Sequence, residues 1–195
     1  EISGMGDGYE FGASVVAGMD LDGDGLEDVA IGAPSAICSK GDFEPCGALY
    51  IFQGLASSDS LGAFVLSTEA ADRVIWAESD GDEFGAAVAT IPDWDGDGKA
   101  DLVVGAPEYG DADGRAYVIR GVTDGDETDA DLVAEAILTG PSGQLGYAVA
   151  APGDMDGDGQ AELVLGMPGP DTAGVLSGGA VLFWSHGGAP SGGDR

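Results

Sequence analysis

Four carboxylates fall within nine residues at Asp20, Asp22, Asp24 and Asp28, occupying positions 1, 3, 5 and 9 of a turn with Gly25 at position 6. The same spacing returns at Asp93, Asp95, Asp97 and Asp101 around Gly98, and at Asp154, Asp156, Asp158 and Glu162 around Gly159. Two carboxylates about 4 Å apart repel by roughly 4 kcal/mol at an effective dielectric near ~20, so each turn needs a cation to be a favourable structure. Calcium fits, because it is a hard ion that accepts roughly six to eight oxygen ligands in adaptable geometry. The four carboxylates, the position 7 carbonyl (Leu26, Lys99 or Gln160) and water would complete its shell. Glycine at position 6 permits the sharp turn that aims these oxygens inward. The expectation is three calcium sites. Magnesium demands stricter octahedral geometry and retains its waters, and zinc would call for histidine or cysteine. An EF-hand is excluded because position 12, where it needs a bidentate Glu, holds Ile31, Val104 and Leu165. Solvated turns without metal could explain one such loop better than three in phase.

The turns are embedded in a larger repeat. Residues 11–34 (FGASVVAGMDLDGDGLEDVAIGAP), 84–107 (FGAAVATIPDWDGDGKADLVVGAP) and 145–168 (LGYAVAAPGDMDGDGQAELVLGMP) align without a gap. Their starts lie 73 and then 61 residues apart, so each unit is one supersecondary structure of about 60 residues. The periodicity within each unit is that of strands. A run of small residues and valine (13–17, 86–90, 147–151) precedes the acidic turn. A continuous apolar run (29–31, 102–104, 163–165) follows it, as expected of strands buried on both faces. Third strands are expected at 48–52, 116–120 and 180–184, where β-branched and aromatic residues concentrate, and fourth strands at 73–77 and 135–139. Helix is confined to a short turn around 131–136, since glycine interrupts every other candidate. Residues 1–4 (EISG) precede the first repeat as AILTG precedes the third, so the amino terminus is expected to supply an outer strand. The repeats occupy residues 1–186, and 187–195 is a flexible Gly/Ser-rich tail.

Composition narrows the function. The 195 residues carry 36 acidic and six basic side chains, a formal charge of −30, which repels nucleic acid and anionic membranes. No apolar run is long enough to span a bilayer, and no leader opens the sequence, which fits a mature secreted or surface-exposed protein with no membrane insertion. Cys38 and Cys46, eight apart in a loop with glycine and proline, suit a disulfide; two free thiols are the alternative.

Phe11-Gly12, Phe84-Gly85 and the variant Leu145-Gly146, followed by the DxDGDG turns and by Gly32-Ala33-Pro34, Gly105-Ala106-Pro107 and the variant Gly166-Met167-Pro168, resemble the FG-GAP repeats of the integrin alpha amino-terminal β-propeller. The resemblance covers most of residues 1–186. It implies an all-β fold of four-stranded propeller blades, with calcium in the hairpin loop between the first two strands of each. Three blades are too few to close a ring, since propellers usually have about four to eight. The chain is therefore expected to be a fragment of a longer propeller or a protomer that associates with copies of itself. Two copies joined head to tail would give six blades.

The resemblance also implies a module of extracellular recognition or adhesion, its calcium structural, offering loops to a protein or carbohydrate. The loops opposite the metal turns, 35–46 with Phe43 and 108–115, are the expected surface. No catalytic residue is expected: His186 is the only histidine, and there is no GxSxG motif. Two other readings stand beside recognition. FG-GAP repeats accompany hydrolase domains such as those of phosphatidylinositol-glycan phospholipases, and a propeller can be a spacer in a surface protein.

Overall fold

The computed structural model describes residues 9–38, 44–54, 68–121, 128–140, 143–169 and 178–184. Three sheets follow one another along the chain. In the first, β1 (Ser14–Met19), β2 (Asp28–Ala33), β3 (Ala48–Phe52) and β4 (Arg73–Trp76) pair antiparallel in sequence order. The second is built alike from β5 (Ala87–Ile91), β6 (Asp101–Ala106) and β7 (Arg115–Ile119). It is closed by β9 (Ala134–Leu138), which comes after β8 (Thr128–Asp129). The third contains β10 (Ala148–Gly153), β11 (Glu162–Met167) and β12 (Gly179–Phe183), three strands among the described residues. The expected outer strand at 1–4 and the tail at 187–195 lie outside the described residues.

The second strand of each unit is deeply placed, as its unbroken apolar run requires, and in the first unit the third strand is wholly buried as well. All six residues of β6 are buried, and five of the six in β2. Alternation along β3 and β7 then divides the core between both faces of each sheet. Leu49 and Ile51 join Leu102, Val104, Tyr117 and Ile119 in one cluster between the first and second sheets. Val103, Ala116 and Val118 join Leu163 and Leu165 between the second and third. The sheets therefore stack face to face in chain order.

Two features depart from the expected pattern. β8 pairs in parallel with β4, so a segment that follows β7 adds a fifth strand to the outer edge of the first sheet and ties the first two units together. Two residues with no apolar alternation leave no sequence signal for such a strand. The expected helical turn is a single one, Ala130–Val133, and gives way to β9 at Ala134. A second turn at Tyr109–Ala112 contains left-handed Gly110 and Asp111 and is no regular helix.

The Phe-Gly pairs explain themselves at the junctions. In each unit a turn is closed by the amide of the residue after the glycine, Ala13 to the Glu10 carbonyl, Ala86 to Glu83 and Tyr147 to Gln144. The glycine stands third in that turn, where positive φ is required, and its φ is 97°, 91° and 91° at Gly12, Gly85 and Gly146. Phe84 is fully buried against Tyr117 of its own unit, the rings edge to face at 5.4 Å. It also bridges in parallel to Gly47 of the unit before, as Leu145 bridges to Gly114. The Leu145 variant is thus buried in the same place as Phe84.

Candidate metal loops

Each acidic turn links the first two strands of its sheet, β1 to β2, β5 to β6 and β10 to β11. The structure brings carboxylate oxygens of positions 1, 3 and 9 together, Asp20 with Asp22 and Asp28, Asp93 with Asp95 and Asp101, and Asp154 with Asp156 and Glu162. In each group they lie within 4.8 Å of one another. The position 5 residues Asp24, Asp97 and Asp158 are not in these groups; an oxygen of each accepts the position 7 amide, from Leu26 at 2.7 Å, Lys99 at 2.9 Å and Gln160 at 2.8 Å.

The turn is wound around its first carboxylate. Asp20 accepts the amides of Gly23 at 2.6 Å and Gly25 at 2.9 Å, one on each oxygen; Asp93 does so from Gly96 and Gly98, and Asp154 from Gly157 and Gly159. Both glycines of each DGDG run take positive φ, as at Gly23 (84°) and Gly25 (86°). The demand for positive φ therefore falls on position 4, the first glycine of each DGDG run, as well as on the expected position 6.

Position 9 is the buried anchor. Asp28, Asp101 and Glu162 are completely inaccessible to solvent, whereas the other acids of the loops are partly or fully exposed. Asp28 accepts Leu21 N–H at 2.7 Å on one oxygen and Gly54 N–H at 2.7 Å on the other. Asp101 repeats this with Trp94 at 2.5 Å and Gly121 at 2.6 Å. The glycine amides after β3 and β7 were not foreseen as part of the site. Burial raises the carboxyl of Asp28 above its ordinary value; the two amides oppose this, and the charges of Asp22 and Asp20 add to it. Asp101 is raised for the same reasons, with Asp95 and Asp97 as the charged neighbours. Glu162 accepts Met155 N–H at 2.5 Å through Oε2, while its buried Oε1 has no hydrogen-bond partner among the described residues.

These observations fit a hard cation. The donor set is all oxygen, the charges converge, and a buried carboxylate oxygen is left unsatisfied in the third loop, where an unpaired buried group is costly. A divalent ion would compensate both the burial of position 9 and the repulsion from positions 1 and 3.

At the opposite ends of the strands lie residues 35–38, 44–46 and 108–115; residues 39–43, Phe43 among them, are outside the described residues. Cys38 and Cys46 are joined by a disulfide with Cα atoms 5.8 Å apart, and Ile37 and Pro45 form a bridge beside it. A cleft of about 870 Å³ opens between Glu108–Ala112 and residues 79–83. A second of about 420 Å³, lined by Ser35, Glu44 and Pro45, shares Asp80, Gly81 and Glu83 with it. Arg115 underlies this region, its guanidinium 3.4 Å from the centre of the Tyr109 ring and 2.7 Å from Glu78.

Consecutive antiparallel sheets, stacked face to face and each carrying an acidic hairpin loop between its first two strands, define β-propeller blades. Comparison with known families agrees: the FG-GAP repeat matches residues 11–52 and the FG-GAP-like repeat matches residues 93–165. The chain belongs to the FG-GAP repeat proteins. It is 34% identical over 168 residues to integrin alpha-PS5 of Drosophila melanogaster, covering 84% of this chain and 15% of that protein. It is 31% identical over 173 residues to human integrin alpha-IIb, covering 85% and 15%. Phosphatidylinositol-glycan-specific phospholipase D of Rattus norvegicus is 32% identical over 179 residues, covering 88% and 20%. The chain thus spans a fifth or less of the length of these relatives.

Proposed function

We propose that this chain is a calcium-stiffened propeller module of extracellular recognition or adhesion, without catalytic residues of its own. One observation carries the reading: three loops in phase with the repeat each gather three carboxylates, one of them wholly buried. Asp20, Asp22, Asp24 and Asp28 with the Leu26 carbonyl would hold the first ion. Asp93, Asp95, Asp97 and Asp101 with the Lys99 carbonyl would hold the second, and Asp154, Asp156, Asp158 and Glu162 with the Gln160 carbonyl the third. Calcium at a hundred times its dissociation constant would stabilise the fold by about 2.7 kcal/mol per site. Its role is to neutralise the loops and fix each hairpin to its blade.

The partner surface is the opposite rim. There the disulfide-pinched loop and the turn at Glu108–Ala112 border adjoining clefts, and the integrin relatives support recognition of a protein or carbohydrate outside the cell. Among the described residues no helix is long and apolar enough to cross a membrane.

A second copy is a further partner. Met155, at the loop position where Leu21 and Trp94 are packed by the next blade, is 57% exposed, and Tyr147 of the same blade is 58% exposed. Val15 on the first blade is 58% exposed. These end faces support head-to-tail closure into six blades.

Titration calorimetry tests the metal reading: three calcium ions per chain and a melting temperature that falls on chelation are expected. Zero uptake would remove it. Light scattering tests closure, for which a dimer is the required mass. The phospholipase relative supports a second reading, in which the module is the non-catalytic propeller portion of a larger secreted hydrolase. Retention of a protein or glycan ligand by this chain alone would favour recognition over that reading or a spacer role.

A further inference from the structure

The three loops are not equivalent in their relation to one another. Ala100 N–H, between the position 7 and position 9 residues of the second loop, donates to the carbonyl of Asp20, the first residue of the first loop, at 3.0 Å. The Lys99 side chain lies across that same loop, with Cε 3.3 Å from where a Cβ on Gly23 would stand. Behind them, a Cβ on Gly121 would meet the Leu21 and Ala100 carbonyls, both at 2.7 Å, and Lys99 Cβ at 2.8 Å. Gly121 is also the residue whose amide fixes Asp101. The first and second loops are therefore one packed and hydrogen-bonded body.

The second and third loops are built differently. The corresponding pair, the Ala161 amide and the Asp93 carbonyl, makes no such bond among the described residues. Instead a cleft of about 360 Å³ separates the loops, with Asp93, Trp94 and Asp95 on one wall and Asp154, Gly159 and Ala161 on the other.

From this asymmetry, and resting on the calcium reading above, we propose that the first and second loops bind calcium cooperatively while the third binds independently. Ordering the second loop fixes Ala100 N–H and with it the backbone of Asp20. The first ion therefore enters a loop whose ordering has already been accomplished, and by linkage the effect is reciprocal. The shared body transmits this coupling through the chain itself, without contact between the ions.

Calcium titration calorimetry on the whole chain tests this, with loops disabled in combination. Asp154→Asn with Asp156→Asn leaves the first and second loops; adding Asp20→Asn with Asp22→Asn leaves the second alone; the latter pair by itself leaves the second and third. The coupled pair is expected to bind with a Hill coefficient above 1 and at least about 5-fold more tightly per site than the second loop alone. The second and third loops together should give the simple sum of two independent sites. In the unmodified chain, two ions should bind steeply and one separately, a result that needs no variant to fold. Additive binding by the first and second loops overturns the inference and leaves the calcium reading standing. No uptake by the unmodified chain overturns both.

Discussion

The carbonyl oxygen of Gly85 lies over Gly32 of the preceding blade, so close that a Cβ at Gly32 would stand 2.0 Å from it. Gly146 stands in the same relation to Gly105, at 1.9 Å. The first glycine of the first two Gly-x-Pro runs is therefore a seat for the Phe-Gly turn of the next blade, so the motif's two halves meet between blades as well as within one, where the Gly12, Gly85 and Gly146 amides donate to the Gly32, Gly105 and Gly166 carbonyls. Among the described residues no such backbone lies over Gly166; the nearest atoms a Cβ there would meet belong to Ala148 of its own blade, with Cβ at 3.3 Å. Gly32→Ala and Gly105→Ala should each destabilise the chain by about 1–3 kcal/mol, the ordinary cost of forcing an extra methyl into a packed place. Gly166→Ala should cost clearly less. Chemical denaturation of the three variants checks the ranking, and equal losses at all three positions would refute the seating.

How much of this was legible follows from the range of the forces involved. Strand positions were readable because each is set locally by alternation and by the turn glycines: the third strand expected at 48–52 is β3 without adjustment, and the fourth at 135–139 is β9 shifted by one residue. Acidic spacing likewise named the loops, since Asp20, Asp22 and Asp28 are brought together by a turn of nine residues. What was not legible depends on partners distant in sequence. The Gly54 and Gly121 amides reach position 9 only because β3 and β7 return past the loops. The parallel strand Thr128–Asp129 exists because β4 offers an edge. No residue type in either place announces the role.

Glu162 is the position at which metal and fold can be separated most cleanly. Its Oε2 is held by Met155 N–H, but Oε1 is buried without a partner among the described residues. Glu162→Gln keeps the shape and an acceptor for that amide while removing the charge. In chelator its stability should equal or exceed that of the parent, because a buried ionised group is costly without a counter-ion. In saturating calcium it should be less stable than the parent, and one ion per chain should be lost or weakened. Thermal unfolding in both conditions checks this. A variant that is equally impaired with and without calcium would assign Glu162 a purely structural role.

The Cys38–Cys46 disulfide closes a short loop at the rim opposite the metals, and both residues are buried. A cross-link around so few residues restricts the unfolded chain by about 2.5 kcal/mol on the chain-entropy account. Cys38→Ser with Cys46→Ser should lower stability by about that amount while leaving calcium uptake intact, because the loops lie at the other ends of the strands. Denaturation and calcium titration of the double variant test the two halves of the prediction separately. Loss of calcium binding would contradict the placement.

Asp82 gives the fold a dependence on pH that is separate from the metal loops. It is 3% exposed, and its carboxyl is pushed up to about 6, chiefly by burial. The amide of Ser79, donating at 2.9 Å, and the charge of Arg115 oppose the rise, while Glu78 and Asp80 add to it. A carboxyl whose folded value is raised binds its proton more tightly in the folded state. Its contribution is therefore fully present below the unfolded value near ~4 and is lost as pH rises through about 6. Asp82→Asn removes the ionisation and retains an acceptor for Ser79. The variant should gain about 3 kcal/mol on the parent as pH rises from about 4 to beyond 6, and hold that gain at neutral pH. Taking the difference between variant and parent at each pH, at fixed calcium, cancels the titration of the metal loops. A difference that stays flat from pH 4 to 7 would show that Asp82 ionises in the folded chain as freely as in the unfolded one.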